Sequence, residues 1–285
     1  MARTFNVDDF LRQFKDDDAC LDYLMQIKHG KTMNCPKCHR HGKFSRVKRD
    51  KAYQCSWCAH QIFPMRGALF ERSPTPLRKW FYAMYLFTTT RHGVSAKELE
   101  RQLGVTYKTA WRMGHKIRMY MTRINNSNTG TLMDHVEIDE SFFGGHHSNA
   151  DKRVKKTIVL NMVQRGGDVI SRVIPDTRRE TIDDHIEQHI MRGSTVSTDK
   201  SKAYGALKRM GYDHGSVNHS MGQYADGIHH VNTVEGFWSL VNRSIRGTHV
   251  YVSQKYMPNY LAEFSFRFNL RKTPAAMMPR LLLSF

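Results

Sequence analysis

The sequence predicts a multidomain protein in which two small N-terminal modules precede a larger α/β domain. Three observations predict this class. Four cysteines form two close pairs, amphipathic helices follow around a glycine turn, and strand-like runs begin near residue 135. The chain has 285 residues, of which 40% are hydrophobic. It is therefore long enough for two or three domains, each with a core of its own.

The first module is predicted by the spacing Cys35-x2-Cys38-x16-Cys55-x2-Cys58. Two such pairs are typical of a tetrahedral thiolate site, and Zn²⁺ prefers four such ligands in a structural role. The residues between the pairs indicate a short hairpin. Cys20 falls in the apolar stripe of an N-terminal helix, so we interpret it as a core residue. The pattern predicts a structural zinc ribbon that lacks an open coordination position.

Membrane and secretory classes are disfavoured by the distribution of apolar residues. The longest unbroken apolar run is Trp80–Phe87, far below the roughly 18 residues that a membrane span needs. The first ten residues show no apolar signal-peptide core. We therefore expect a cytoplasmic protein, and disulfides are rare in that compartment.

Positive charge is concentrated in one part of the chain. The formal net charge is +18, and residues 31–130 hold 20 Lys and Arg against 4 Asp and Glu, a net charge of +16. Solubility alone does not require such segregation. A concentrated basic block is typical of a surface that binds nucleic-acid phosphates. We therefore expect DNA as a partner.

The segment Val94–Arg118 predicts a helix-turn-helix inside the basic block. Leu99 and Leu103 are spaced to face inward on the first helix. Gly104 ends that helix, and Thr106 caps the next. An ordinary helical hairpin with a solvated face is the alternative, but the neighbouring zinc ribbon and basic block favour a DNA-binding module.

The second of these helices carries two different stripes. Ala110, Met113 and Ile117 recur with helical spacing and form a small apolar stripe. Basic residues at i, i+4 and i+8 form a stripe well round the cylinder, as on a recognition helix in a major groove. The residues that we expect to contact DNA are Tyr107, Lys108, Thr109, Arg112 and Lys116.

The hydrophobic pattern of the second half of the chain is typical of a mixed sheet covered by helices. His135–Phe143 alternates like a strand, and two β-rich runs flank the hairpin signal Arg165–Gly167. Arg178–Met191 and Asn232–Gly247 have helical spacing, and Ser194–Asp199 indicates a short strand between them. A hairpin followed by a crossover helix and a strand predicts an α/β domain with a mixed sheet.

Three acids stand out by their position in these elements. Asp139 precedes a turn, Asp199 ends a strand, and Glu235 lies in the first turn of a helix. Acids at strand ends can converge on one edge of a sheet, where they would hold Mg²⁺ for phosphodiester chemistry. Glu137 shares the face of Asp139 and either assists it or lines the sheet. Glu140 is expected to point away and to be solvated or paired.

Six motifs, taken in order, resemble one family. They are "CPKC", "CSWC", "VEIDESFFGG", "STDKSKAY", "HHVNTVEGFWSLVNRSIRGTHVYVS" and "YLAEFSFRFNLR". Over roughly residues 5–272 the chain is similar to bacterial insertion-sequence DDE transposases of the group with an N-terminal zinc ribbon. The resemblance implies an RNase H-like catalytic domain with a mixed five-stranded sheet. It also implies catalytic and metal-binding roles for Asp139, Asp199 and Glu235.

The same resemblance implies an activity and its partners. It implies binding to the double-stranded DNA of terminal inverted repeats, cleavage at the transposon ends and joining of the 3′-hydroxyl to target DNA. The chemistry would be two-metal phosphodiester transfer with Mg²⁺ or Mn²⁺, without a covalent protein–DNA intermediate. A homodimer or higher oligomer on DNA, in the nucleoid of a prokaryotic cell, is expected.

Two departures from the family pattern leave alternatives open. Related transposases often carry Lys or Arg seven residues after the Glu, where this chain has Asn242. Arg246, eleven residues on, returns to the face of Glu235 on a continuous helix and is expected to contact DNA phosphate instead. Some members of the group use Asn or His in place of the Glu, which keeps Asn232 and His230 as alternative ligands.

The expected organisation has four segments. Residues 1–30 form an N-terminal helical segment, 31–72 the zinc ribbon, 73–125 the helix-turn-helix domain and 130–285 the RNase H-like domain. Two other functions fit the same organisation. One is a DNA-binding regulator with an inactive RNase H-like domain, and the other is a structure-specific nuclease.

Overall fold

The computed structural model describes residues 5–30, 32–128, 130–144, 156–218 and 221–283. The chain forms two compact units. The first contains Met1–Thr90, Ala96–Tyr120 and Thr273–Phe285, and the second contains Arg91–Ser95 and Met121–Lys272. Within the described residues, no helix combines the length and apolar character that crossing a bilayer requires.

The elements follow one another in a helix–ribbon–helix–sheet order. The helices are α1 (Val7–Gln13), α2 (Asp17–His29), α3 (Leu77–Thr89), α4 (Ala96–Leu103), α5 (Tyr107–Asn128), α6 (Arg179–His189), α7 (Asn232–Arg243), α8 (Met257–Asn269) and α9 (Met277–Leu283). The strands are β1 (Thr32–Asn34), β2 (His41–Val47), β3 (Ala52–Cys55), β4 (Gln61–Ile62), β5 (His135–Phe143), β6 (Thr157–Gln164), β7 (Val169–Ile174), β8 (Thr195–Asp199) and β9 (Asp213–Val217).

The N-terminal apolar stripe belongs to two helices rather than one. Asp16 accepts a hydrogen bond from the N–H of Ala19 and caps the start of α2, so the chain turns between the two helices. Phe14 is buried in that turn and contacts the ring of Phe81 at a centroid distance of 4.9 Å. Cys20 is fully buried, which confirms its interpretation as a core residue.

The ribbon is a small antiparallel sheet with the strand order β1-β2-β3-β4. β2 and β3 form the predicted hairpin, with Phe44 opposite Cys55 and Val47 opposite Ala52. The hairpin returns the second cysteine pair to the first, because each pair lies just outside or at the end of a strand. The fold of this segment therefore depends on the two turns that carry the cysteines.

The predicted helical hairpin is formed by α4 and α5. Leu99 and Leu103 are buried as expected. Gly104 ends α4 with φ +57, a left-handed conformation that favours glycine. The side chain of Thr106 accepts a hydrogen bond from the N–H of Thr109 at 3.4 Å and caps α5. The apolar stripe of α5 is also confirmed, since its members are fully buried. They are Ala110, Met113 and Ile117.

The second unit contains a mixed five-stranded sheet, as predicted, with the order β7-β6-β5-β8-β9. β5, β6 and β7 pair antiparallel, whereas β8 is parallel to β5 and β9 is parallel to β8. The hairpin between β6 and β7 turns at Gly166, whose φ of +68 suits a glycine. This order places β5 at the centre of the sheet.

Helices cover both faces of this sheet. On one face, β5 residues such as Ile138 pack with Ile182 and Ile186 of α6. On the other, Phe143 packs with Trp238 of α7 and Phe264 of α8. Each face therefore has its own apolar core. The polar residues of β5 stand out against these cores, because burial is costly for a charge without a partner.

Candidate active site and metal centres

The ribbon brings its four cysteines together. The Sγ atoms of Cys35 and Cys58 lie 3.6 Å apart, and those of Cys38 and Cys55 lie 3.9 Å apart. All four sulfur atoms lie within 4.8 Å of one another. Sulfurs about 2.3 Å from a tetrahedral Zn²⁺ would be separated by about 3.8 Å. The donor set therefore fits a structural zinc ion with four protein ligands.

The two cysteine pairs sit in equivalent turns. The N–H of His39 donates to the carbonyl of Cys35 at 2.8 Å, and the N–H of Ala59 donates to that of Cys55 at 3.1 Å. His39 has φ 59 and Ala59 has φ 57. Left-handed backbone is unfavourable for both residue types, so the shared conformation indicates two matched knuckles built around one ion.

Two of the three candidate catalytic acids lie side by side on adjacent strands, with Asp139 in the middle of β5 and Asp199 at the end of β8. The expectation that both acids stand at strand ends is therefore wrong for Asp139. Ile138 of β5 pairs with Thr198 of β8, so Asp139 and Asp199 are the next residues along two neighbouring parallel strands. Carboxylate oxygens of Asp139, Glu140 and Asp199 all lie within 4.8 Å of one another. Oxygen ligands at this spacing suit a hard divalent cation such as Mg²⁺ or Mn²⁺.

This acid cluster is electrostatically costly without a cation. Burial and the negative charges of Asp199 and Glu140 raise the pKa of Asp139 from 3.8 to about 7. Burial also raises the pKa of Glu140, although the hydrogen bond from Tyr204 opposes that change. A divalent cation would offset the mutual repulsion. The cluster therefore has the chemistry of a metal site.

The expectation that Glu140 points away from Asp139 is wrong. Consecutive strand residues do point to opposite faces inside a sheet. However, β8 ends at Asp199, so side chains from both faces of β5 can converge beyond that strand end. The hydroxyl of Tyr204 donates to Glu140 at 2.5 Å. Glu140 is thus paired, as expected, but within the acid cluster.

Glu235 lies outside this cluster of described acids. Its side chain is exposed in the first turn of α7. The alternative ligands are also placed elsewhere: Asn232 is the exposed first residue of α7, and the Nδ1 atom of His230 lies 3.2 Å from Glu137. Glu235 and His230 therefore lie in or just before α7 without joining the group formed by Asp139, Glu140 and Asp199.

Glu137 holds the start of α7. Its carboxylate accepts hydrogen bonds from the backbone N–H groups of Thr233, at 2.6 Å, and Val234, at 3.0 Å. The Nε atom of Arg165 lies 2.7 Å from the same carboxylate, which is fully buried. Val231 occupies the N-cap position and offers no side-chain acceptor. Glu137 therefore replaces the missing cap from the neighbouring strand.

Comparison with known proteins identifies the family. Residues 131–269 match the model of the ISXO2-like transposase domain, and residues 15–61 match that of the transposase zinc-ribbon domain. The chain belongs to the insertion-sequence transposases with an N-terminal zinc ribbon. The match confirms the resemblance seen in the motifs. It also assigns the acid cluster to the transposase domain and the four cysteines to the ribbon domain.

Two individual proteins are similar to this transposase. An uncharacterized protein in transposable element ISH50 of Halobacterium salinarum is 27% identical over 292 residues, covering 93% of this chain and 95% of the relative. A crystal structure of a pre-cleavage Mos1 transpososome aligns with 72% of this chain and 78% of that chain, at 10% identity and a TM-score of 0.28. That TM-score is too low for a comparison of the folds.

In the transposase, the anchor of α7 extends into a wider polar network. Arg165 also donates to the carbonyl oxygens of Ile228, at 2.8 Å, and His230, at 3.1 Å. Its Nη1 atom lies 3.0 Å from His135, whose other ring nitrogen lies 2.7 Å from the hydroxyl of Ser197. The network thus ties β5, β8 and the loop before α7 together, two residues before Asp139 and Asp199.

We expect Glu137→Gln to lower the free energy of unfolding of the second unit by about 3 kcal/mol, because it breaks an ion pair whose carboxylate is fully buried and leaves the half-buried guanidinium of Arg165 without its counter-charge. Thermal and urea denaturation followed by circular dichroism measure the change. Glu187→Gln is the matched control, since Glu187 pairs with Arg192 at the surface at 3.0 Å and should contribute under 1 kcal/mol. Equal effects of the two variants would contradict the buried anchor.

Asp139→Asn should stabilise the metal-free transposase. The folded state raises the pKa of Asp139 to about 7, so ionising this carboxyl above pH 7 costs stability, and the cost disappears as the pH falls towards 3.8. A shift of about three pH units corresponds to a ceiling of about 4 kcal/mol, and we expect about 2 kcal/mol. Denaturation in EDTA should show the gain at pH 8 and little gain at pH 4.5. A variant less stable than wild type at pH 8 would rule out this account.

The candidate DNA contacts of α5 differ in exposure. Tyr107, Lys108 and Arg112 are exposed, and Thr109 is half-buried at the first turn. Lys116 is also half-buried, and its ammonium donates to the carbonyl of Leu69 at 3.0 Å. The exposed part of the basic stripe is therefore its N-terminal end, because the next turn of the helix packs against the chain itself.

Arg246 does not lie on a continuation of α7. The α-helix ends at Arg243, and Ser244–His249 forms a π-helical turn. A π-turn is wider than an α-turn, so the eleven-residue spacing no longer returns Arg246 to the face of Glu235 as the sequence predicted. The side chain of Arg246 is exposed. A contact with DNA phosphate remains an expectation for it.

Proposed function

We propose that this transposase binds the terminal inverted repeats of its element, cleaves DNA at the ends and joins the freed 3′-hydroxyl to target DNA. The observation that carries the proposal is the convergence of the Asp139, Glu140 and Asp199 carboxylates within 4.8 Å. A half-buried cluster of three acids is unfavourable in a merely structural role, whereas such a site suits the divalent cations of phosphodiester transfer.

We propose further that the second unit is an RNase H-like domain. The support is the strand order β7-β6-β5-β8-β9, in which an antiparallel three-stranded meander is extended by two strands parallel to its first strand. The acids then lie on the central strand and its parallel neighbour. Because β8 ends at Asp199, a DNA strand can approach the carboxylates beyond the end of that strand.

Asp139, Asp199 and Glu235 are the proposed metal ligands and catalytic acids, with Glu140 beside the first two. When bound, Mg²⁺ or Mn²⁺ would polarise the scissile phosphodiester and activate the attacking hydroxyl. Cleavage by water frees a 3′-hydroxyl at the transposon end. That oxygen then bonds to a target phosphorus while the target 3′-oxygen leaves, so no covalent protein–DNA intermediate is needed.

For recognition of the repeats, we propose that α4 and α5 act as a helix-turn-helix with α3 as support. The exposed Tyr107, Lys108 and Arg112 near the start of α5 are the proposed base and phosphate contacts. Thr109 and Arg246 are further proposed contacts, and Lys116 would need to release Leu69 to join them. The basic ribbon would add sequence-independent phosphate contacts.

Strand transfer in vitro tests the proposal. Purified protein is incubated with a labelled terminal-repeat duplex, a target plasmid and Mg²⁺, and we expect labelled plasmid as the joined product. Cleavage without joining would instead indicate a nuclease, and repeat binding without any Mg²⁺-dependent cleavage would indicate a regulator. Either result overturns the proposed activity.

Cutting and joining two ends requires both to be held, so we also propose a dimer on DNA. Light scattering measures the mass of the protein–DNA complex and tests this oligomeric state.

A further inference from the structure

A cavity of about 560 Å³ lies in the second unit along the edge strand β7. It is bounded by β7, the C-terminal end of α5, α6 and α8. Most of its polar lining residues are neutral or cationic. They are Thr122, Asn125, Ser171, Arg172, His185, Gln188 and His189. The described lining contains no carboxylate, which contrasts with the acid cluster on β5.

Arg172 is the charged group of the cavity. Its Nη1 atom donates to the carbonyl of Ser171 at 3.0 Å, and its side chain is half-buried. Burial lowers the pKa of its guanidinium, and within the described parts of the chain no carboxylate forms an ion pair with it. A half-buried cation without a counter-charge is costly, and a bound anion would offset that cost. The planar guanidinium fork suits phosphate in particular.

Two histidines of α6 add to the same wall. The rings of His185 and His189 lie 6.2 Å apart and nearly parallel. The Nδ1 atom of His185 is buried without a hydrogen-bond partner among the described residues. Burial and the nearby charge of Arg172 lower the pKa of both rings, that of His189 to about 4. Both are therefore neutral near pH 7, when each can donate one hydrogen bond to an anion.

The edge strand contributes backbone groups as well. Asn269 bonds both the N–H and the carbonyl of Val169 from outside the sheet, at 2.8 Å and 3.2 Å. In an antiparallel ladder the outward-facing groups recur at every second residue. The N–H groups of Ser171 and Val173 therefore also face away from β6. Backbone N–H groups are common phosphate contacts in protein–DNA complexes.

The sheet register relates this cavity to the acid cluster. Glu140 of β5 pairs with Leu160 of β6, and Leu160 pairs with Arg172 of β7. Arg172 thus lies in the same row of the sheet as Glu140, about 10 Å away across two strand spacings. Adjacent phosphates of one DNA strand are about 7 Å apart, roughly twice the axial rise per nucleotide. The separation therefore corresponds to one or two nucleotides.

We propose that this cavity binds a phosphate group of the DNA strand whose scissile phosphodiester lies at the acid cluster, one or two nucleotides away. The inference rests on the function proposed above. Arg172 supplies the charge, and the histidines, the amides and the strand edge supply neutral donors. The site would position the strand for cleavage, and it would contribute affinity without reading sequence.

Three variants that each change the net charge by −1 test this site. Arg172→Gln and Gln188→Glu alter the cavity, whereas Arg192→Gln is the control, since Arg192 is exposed and pairs with Glu187 at the surface. Gln188 is exposed, so its variant should fold normally even if Arg172→Gln does not. We expect both cavity variants to weaken DNA binding about tenfold and to reduce the slope of log K against log salt by about 1. The same affinity and slope in cavity variants and control would overturn the proposal.

Neutral methylphosphonate links, placed one at a time along the cleaved strand, locate the contact. For the wild type we expect one sensitive position one or two nucleotides from the cleavage site, and that sensitivity should vanish in Arg172→Gln. An identical profile in both proteins overturns the inference. A second result would also overturn it. In that case inorganic phosphate shifts the ring resonances of His185 and His189, so the cavity binds phosphate, but Arg172→Gln leaves the affinity for DNA unchanged. If the wild type joins no DNA but Arg172→Gln still weakens binding, the proposed function fails and the cavity site stands.

Discussion

Replacing Asp139 or Asp199 by Asn is expected to reduce the joining of transposon ends by about 10³-fold or more. Each carboxylate lies within 4.8 Å of the other and of Glu140, so an amide removes a charged ligand from the shared site. Loss of about 4 kcal/mol of transition-state stabilisation corresponds to a factor of about 10³. Quantitative strand transfer with saturating DNA measures the effect. Asp184→Asn, on the exposed side of α6, is the control and should retain wild-type joining.

Three further substitutions test which acids bind the metal. Asp139→Cys should be inactive with Mg²⁺ and partly active with Mn²⁺, because a thiolate is a softer ligand. The same assay compares Glu235 and Glu140 as candidates for the third ligand. We expect Glu235→Gln to lose more joining activity than Glu140→Gln. The reverse order would move the third role to Glu140. Full joining by Asp139→Asn, in a protein more stable than wild type without metal, would refute the site assignment altogether.

Loss of zinc is expected to unfold the ribbon. Structural zinc contributes on the order of 10 kcal/mol in small zinc-binding folds, and the short strands β1 to β4 offer little apolar core to replace it. We expect one zinc per wild-type chain and none in the Cys35→Ser, Cys38→Ser double variant. Proteolysis should then cut the variant within residues 31–72 while the second unit stays protected.

The fifth cysteine provides the matched control for the zinc experiment. Cys20 is buried in α2 and lies outside the four-sulfur group. Cys20→Ala should therefore keep one zinc per chain and an intact ribbon, at a small cost in stability from the lost packing. A double variant that still binds zinc stoichiometrically would show that the ligands lie elsewhere.

Much of the fold follows from local patterns. The strand β5, the β6–β7 hairpin and the buried stripe of α5 have strong periodicity, and the structure confirms them. The sequence pattern did not predict the strand β9, because Asp213–Val217 has the sequence "DHGSV" and its first residues are polar. Its pairing with β8 gives it strand structure that its own composition does not indicate. The fifth strand was expected only through the family resemblance.

The candidate site could be predicted only in part from local sequence patterns. Asp139 and Asp199 were predicted to meet because both were expected at strand ends, but only Asp199 ends a strand, whereas Asp139 lies in the middle of β5. Glu140 could not be placed with them, because alternation along β5 assigns it to the opposite face, and only the end of β8 lets both faces meet. The roles of Glu137 and Arg165 depend on contacts between residues 28 to 97 positions apart. No sequence period encodes such contacts, although a Glu on the face of Asp139 was a signal worth testing.

The anchor at Glu137 also limits how Glu235, the proposed third ligand, can approach Asp139 and Asp199. Glu235 directly follows Val234, whose N–H is held by Glu137 at 3.0 Å, so it lies only about 1.5 Å along the axis from a fixed point. The rest of α7 is packed in the apolar core through Trp238 and Val241, so the backbone of Glu235 is held almost stationary. We therefore expect Glu235 to approach the acids by a change of side-chain rotamer, on the timescale of side chains rather than of helices.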